Sequence, residues 1–176
     1  MAKRKKTPKY LRDEQGLVGK KACQSNTLAE PAIQYLEPQR LLSATLSSLL
    51  KERWEGETPS PEDSYPVRHL YALYNTRISE YTIEDFRFLI NQNIALEHIM
   101  PLALEILTKN IFASGDFYDG DLLNAALTVP DSFWKENPLM YASMKELLER
   151  QKDSLDSNME IKSVRRTISD FLNTNK

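Results

Sequence analysis

One cysteine, Cys23, and two histidines, His69 and His98, are the only thiol and imidazole groups in 176 residues. A lone thiol cannot close an internal disulfide, and zinc sites draw on several Cys and His at short spacings, so neither a disulfide framework nor a structural zinc site is expected. No run approaches the roughly 18 consecutive apolar residues of a membrane span. The basic start Met-Ala-Lys-Arg-Lys-Lys leads into polar sequence where a signal peptide would place its apolar block, so the expected compartment is the cytosol. Alternating β-branched runs of strand length are missing too, and no sheet is expected. No set of residues stands out as a nucleophile with its base or as an acid pair, so neither an enzyme nor a cofactor is expected.

What remains is a soluble, globular composition, 41% hydrophobic and 27% charged, sufficient for one domain with a sizeable core. Its charge is unevenly placed. Residues 1–21 hold eight Lys or Arg against Asp13 and Glu14, a net +6, and lack apolar periodicity up to about residue 40. Such a segment buries too little surface to offset its ordering entropy, so residues 1–40 read as a basic, flexible extension ahead of a helical domain at 41–176. Residues 80–131 reverse the sign, with nine acids against Arg87 and Lys109, a net −7. An acidic field of this kind repels nucleic acid and raises the encounter rate with a basic partner.

Helical periodicity begins near Leu41. Leu41, Leu42, Leu46, Leu49, Leu50 and Trp54 fall on one face of a helix expected to end near Gly56, and Val67, Leu70, Tyr71 and Tyr74 form a second stripe after Pro66. His69 and His98 read as structural, since neither has a second ligand at helical spacing. Thr82-Ile-Glu-Asp85 has the form of a capping box with acids in the first turn, followed by Ile83, Phe86, Leu89 and Ile90 on the core side. Gln92-Asn93 could satisfy that helix's end or reach outward. Leu96, Ile99, Leu102, Ala103, Ile106 and Leu107 continue as an apolar helix that either starts at Pro101 or is kinked there. Further stripes carry Phe133 and Trp134, then Met144, Leu147 and Leu148, then Met159, Ile161, Val164, Ile168, Phe171 and Leu172, with Arg165 and Arg166 outside. The expected fold is all-α, a single bundle of six or seven helices without significant sheet.

Between the central stripes lies Gly115-Asp-Phe-Tyr-Asp-Gly-Asp-Leu-Leu123. A calcium loop needs acids at positions 1, 3 and 5 and a glutamate at 12; counted from Asp116 the acids fall at 1, 4 and 6, and position 12 is Leu127. Acid-base catalysis needs carboxylates in contrasting environments, whereas these three look alike. The fitting description is a turn through Gly115 and Gly120, with Asp119 or Asp121 capping the helix Leu122–Val129. Phe117 and Tyr118 either pin that turn to the core or face a partner.

The words Thr82-x-Glu-Asp-x-Arg87, Gln92-Asn93 followed by Ile94 and Leu96, Pro101-Leu-Ala-Leu-Glu-Ile-Leu107, and Gly115-Asp-Phe-Tyr-x-Gly-Asp-Leu-Leu123 with Phe133-Trp134 after it occur in this order. The block resembles the immunity proteins of bacterial contact-dependent growth inhibition (CDI) systems over about a third of the chain. It departs at Asp119, where that family often has proline. The resemblance implies a cytosolic protein without enzymatic activity that binds and neutralises the C-terminal toxin domain of an effector delivered by sibling cells. On that footing Asp116, Asp119 and Asp121 supply electrostatic steering and Phe117 and Tyr118 are the anchors, with Gln92 and Asn93 completing the expected contact set. The acidic centre suits a basic toxin such as a nuclease. The competing reading is a nucleic-acid-associated or adaptor protein that uses the basic extension as an arm, with salt-dependent binding lost when residues 1–21 are removed.

Overall fold

The computed structural model describes residues 38–55, 57–157 and 162–174. The flexible extension expected over residues 1–40 lies outside the described residues up to residue 37, as do Met159 and Ile161 of the last stripe. The protein is all-α, as expected: the described residues form ten α-helices, a 3₁₀ turn at Ile78–Glu80 and no strand beyond an isolated bridge between Thr45 and Arg77. The helices outnumber the six or seven expected because stretches with one continuous apolar period are cut by caps. The chain divides between Ile78 and Ser79 into two compact units.

The first unit contains α1 (Pro38–Ser43), α2 (Leu46–Leu50) and α3 (Tyr65–Asn75). The helix expected from Leu41 to Trp54 is split at Thr45. Its hydroxyl accepts the Ser48 amide while Ser48 Oγ accepts the Thr45 amide, a reciprocal cap that starts α2 afresh. The helix then stops at Lys51 in a left-handed conformation. Trp54 therefore leaves the helical face and stands edge-on to Tyr71 and Tyr74 of α3, with ring centroids 5.3 and 5.6 Å away.

Tyr74 is 2% exposed, and its hydroxyl has no hydrogen-bond partner among the described residues. Burial pushes the phenol up to about 12, with Glu52 and Glu55 adding to the shift. A phenol whose folded pKa lies above its unfolded value contributes stability that is complete below about pH 10 and lost as pH rises toward 12. Tyr74→Phe keeps the ring and removes an uncompensated polar group, so stability at pH 7 should stay level or rise by up to about 1 kcal/mol. The loss of stability between pH 10 and 12 should become shallower in the same variant. Urea unfolding at pH 7 and pH 11 measures both, and a loss above about 1 kcal/mol at pH 7 would show that the hydroxyl is bonded after all.

The second unit holds α4 (Ile83–Asn91), α5 (Leu96–Lys109), α6 (Asp121–Leu127), α7 (Asp131–Glu136), α8 (Pro138–Arg150), α9 (Lys152–Ser157) and α10 (Lys162–Thr174). Helix α6 is its centre, packed against α4, α5 and α10. All of its residues but Asn124 are buried, as a helix apolar on every side must be. Asn124 instead accepts a hydrogen bond from Thr167 of α10 at 2.8 Å. Trp134, Tyr141 and Phe171 join α7, α8 and α10 through ring contacts of 5.2–6.1 Å. Arg165, expected outside with Arg166, turns back to donate to the carbonyls of Leu155 and Asp156 at the end of α9.

Two details of α4 and α5 position the site. The capping box forms as the sequence indicates, with Thr82 Oγ1 accepting the Asp85 amide and Asp85 Oδ2 accepting the Thr82 amide. At the other end the amides of Asn93 and Ile94 bond the carbonyls of Ile90 and Leu89, with Asn93 at φ 54°. This is a Schellman stop in which asparagine takes the left-handed position usually given to glycine. Helix α5 begins at Leu96, so Pro101 lies inside it and withholds a donor from the Glu97 carbonyl.

Candidate functional site

Helix α4 carries Glu84 and Arg87 three residues apart on one face. Arg87 binds Glu84 bidentately, Nε to Oε2 at 2.6 Å and Nη2 to Oε1 at 2.5 Å. Asp121 is the first residue of α6, after Gly120 at φ 85°, a backbone that glycine enters without penalty. A side chain there tilts back toward the helix N-terminus and so lies under the preceding loop. Its Oδ1 accepts the Gly115 amide at 2.7 Å and its Oδ2 the Phe117 amide at 3.2 Å. Glu84 Oε2 takes the amide between them, that of Asp116, at 3.2 Å.

Three consecutive loop amides therefore end on two buried carboxylates. Arg87 Nε sits 3.8 Å from Asp121 Oδ2 and offsets the repulsion between the two acids. The hydrogen bonds to Glu84 raise the guanidinium's pKa against the burial that lowers it, and the charges of Glu84, Asp121 and Asp116 act in the same upward sense. Gly115 is required by proximity. A Cβ there would lie 3.0 Å from the Glu84 Cα and overlap the Glu84 carboxylate, which Arg87 and the Asp116 amide hold in place.

Above this anchor stands an exposed knuckle, Asp116-Phe-Tyr-Asp119. Phe117 is 68% exposed and Tyr118 43%. The Arg87 guanidinium lies 4.3 Å from the Phe117 ring centroid, so one flank of the ring rests on a cation while most of its surface meets solvent. Two adjacent aromatics raised on a tethered loop are unlike the scattered single apolar side chains of an ordinary surface.

The structure brings Asp116, Phe117, Tyr118 and Asp119 together and separates the other expected contact residues from them. Asp121 is 3% exposed and lies beneath the knuckle, where its charge is spent on the loop amides. Gln92 and Asn93 are exposed at the far end of α4, eight residues and about 12 Å along the helix axis from Glu84. Neither Asp119 nor Asp121 caps α6, because Gly120 holds that position. Phe117 and Tyr118 do not pin the turn to the core. His98 pairs with Glu97 at 3.3 Å, and no group of three or more metal-ligating side chains occurs among the described residues. The residues that sequence reasoning passed over are Glu84, read only as a first-turn acid, and Arg87. Their signal was present: Arg87 is the sole Lys or Arg between Glu80 and Glu105, three residues after a glutamate on the same helix.

A sequence model of one protein family, the CDI immunity proteins, matches residues 49–159, well over half of the chain. The span includes both α4 and the knuckle. A comparison with curated proteins gives no match.

Proposed function

The chain belongs to the family of CDI immunity proteins, and on that premise we propose that it binds the toxic C-terminal domain of a cognate CDI effector in the cytosol and neutralises it by occlusion, without turning over a substrate. The observation that carries this reading is the knuckle: exposed aromatics flanked by exposed acids, on a loop tied down by buried hydrogen bonds. Aromatics in a tethered setting are the side chains that dominate interface energetics. Residues 80–131, at net −7, add a field that favours a basic toxin, such as a nuclease. No described helix is long and apolar enough to cross a membrane.

Co-expression tests this reading. Cells making the toxic C-terminal domain encoded by the neighbouring upstream effector gene should survive when this chain is present and die when it is absent. Survival unchanged by the chain would overturn the proposal. Binding kinetics then test the charges. Asp116→Asn with Asp119→Asn should lower the association rate about tenfold at low salt and flatten its salt dependence, with little change in dissociation. An association rate that stays the same and remains salt-dependent would place the steering charges elsewhere.

A further inference from the structure

Deepening the toxin-binding reading, on which this rests, we propose that Arg87 is a positioning residue for partner capture: bound bidentately by Glu84 and set against Phe117, it fixes the knuckle in its docking geometry without touching the partner. Three observations converge on the guanidinium. It is locked by two hydrogen bonds to Glu84, the acid that also holds the Asp116 amide. It lies 3.8 Å from Asp121, the acid that holds the amides on either side. It also supports the ring of Phe117, which is 68% exposed. Without Arg87 the two carboxylates would face each other unscreened, and the acids that clamp the loop would repel. The loop amides of Gly115, Asp116 and Phe117 would then lose a fixed acceptor frame, and Phe117 would sample several rotamers.

The consequence is kinetic. A loop already in its bound shape loses little freedom on association, so a pre-set knuckle shows itself mainly as a longer complex lifetime. The partner surface that fits is a recess for the outer part of the Phe117 ring with basic groups around it, placed to meet Asp116 and Asp119. Lysine at position 87 keeps the charge but loses the planar fork that grips Glu84 and lies flat on a ring.

Two variants separate positioning from plain loss of stability. Arg87→Lys alters the anchor. Leu147→Ala removes a buried side chain of α8, a helix that packs against α5, α7 and α9, and so should lower stability while leaving Glu84, Arg87, Asp121 and the knuckle residues unchanged. Measured against the cognate toxin domain, Arg87→Lys should raise the dissociation rate about tenfold or more and leave the association rate within about threefold. Leu147→Ala should leave both rates near those of the parent. In the free proteins, amide hydrogen exchange at Asp116 and Phe117 should accelerate in Arg87→Lys and not in Leu147→Ala. A dissociation rate in Arg87→Lys within about twofold of the parent overturns the inference while leaving toxin binding intact. Equal acceleration of dissociation in both variants overturns it as well, since stability alone would then be responsible. Failure of the parent chain to bind the toxin domain overturns the functional reading itself.

Discussion

Asp121→Ala should cost about 3 kcal/mol of folding stability, the largest effect expected of any single acid in the second unit. Asp121 accepts two loop amides and lies 3.8 Å from the Arg87 guanidinium, and it is 3% exposed. Hydrogen bonds to a charged group contribute about 1.5–3 kcal/mol each, and part-buried amides left without an acceptor cost about 1–3 kcal/mol. The full sum would overshoot, because the loop lies at the surface and water can reach the orphaned amides once the carboxylate is gone. The isosteric Asp121→Asn retains one acceptor but turns its NH2 toward a second loop donor, so about 2 kcal/mol is expected of it. Urea unfolding followed by far-ultraviolet circular dichroism resolves the order parent, Asn, Ala. A loss below about 1 kcal/mol for alanine would mean that the loop is held by something other than this carboxylate. An exposed acid such as Asp119, replaced in the same way, should stay within about 0.5 kcal/mol of the parent.

That contrast marks the limit of what the sequence displays. The three acids of Gly115–Asp121 occupy similar words of small, aromatic and acidic residues, and nothing in their local order distinguishes a solvated carboxylate from a buried one. The distinction comes from Gly120, whose left-handed backbone caps α6 so that the helix begins at Asp121, one residue before the expected start at Leu122, and swings that side chain under the loop. The structure of α4, by contrast, is written locally. Thr82 and Asp85 cap it, Phe86, Leu89 and Ile90 bury one stripe, and Asn93 stops it, all within a dozen residues. The break at Thr45 is also local, a Thr-Ser reciprocal cap, but it hides inside an unbroken leucine period that a helical reading follows through. Glu84 and Arg87 were legible only as members of a helix face. Their use depends on a loop 32 residues downstream being laid across them, and pairing over that separation is a property of the packed α4 and α6. Two of the motifs that carry the family resemblance, Thr82–Arg87 and Gly115–Leu123, turn out to be the two halves of one anchor.

Truncating the knuckle should produce the largest functional effect. Phe117→Ala and Tyr118→Ala are each expected to shorten the lifetime of the toxin complex by about thirtyfold or more, the scale of a central aromatic anchor. Association rates should change by less than about threefold, because encounter depends on the acidic field, which neither change touches. Folding should hardly register either substitution. Phe117 is 68% exposed, so its removal forfeits the flank contact with Arg87 and little buried area, about 1 kcal/mol or less. This separation gives the prediction its force: a variant as stable as the parent that associates as fast, yet releases the toxin quickly, locates the binding energy in the rings. Surface plasmon resonance on the captured toxin domain, paired with thermal unfolding of each variant, supplies both readings. Phe117→Leu keeps an apolar side chain without a flat ring, and should restore part of the lifetime if burial in a recess dominates but little of it if the ring's face is what the partner contacts. Dissociation rates unchanged in both alanine variants would remove Phe117 and Tyr118 from the interface. Attention would then move to Gln92 and Asn93, whose exposed amides project from a Schellman stop at the opposite end of α4 and need no contribution from the knuckle.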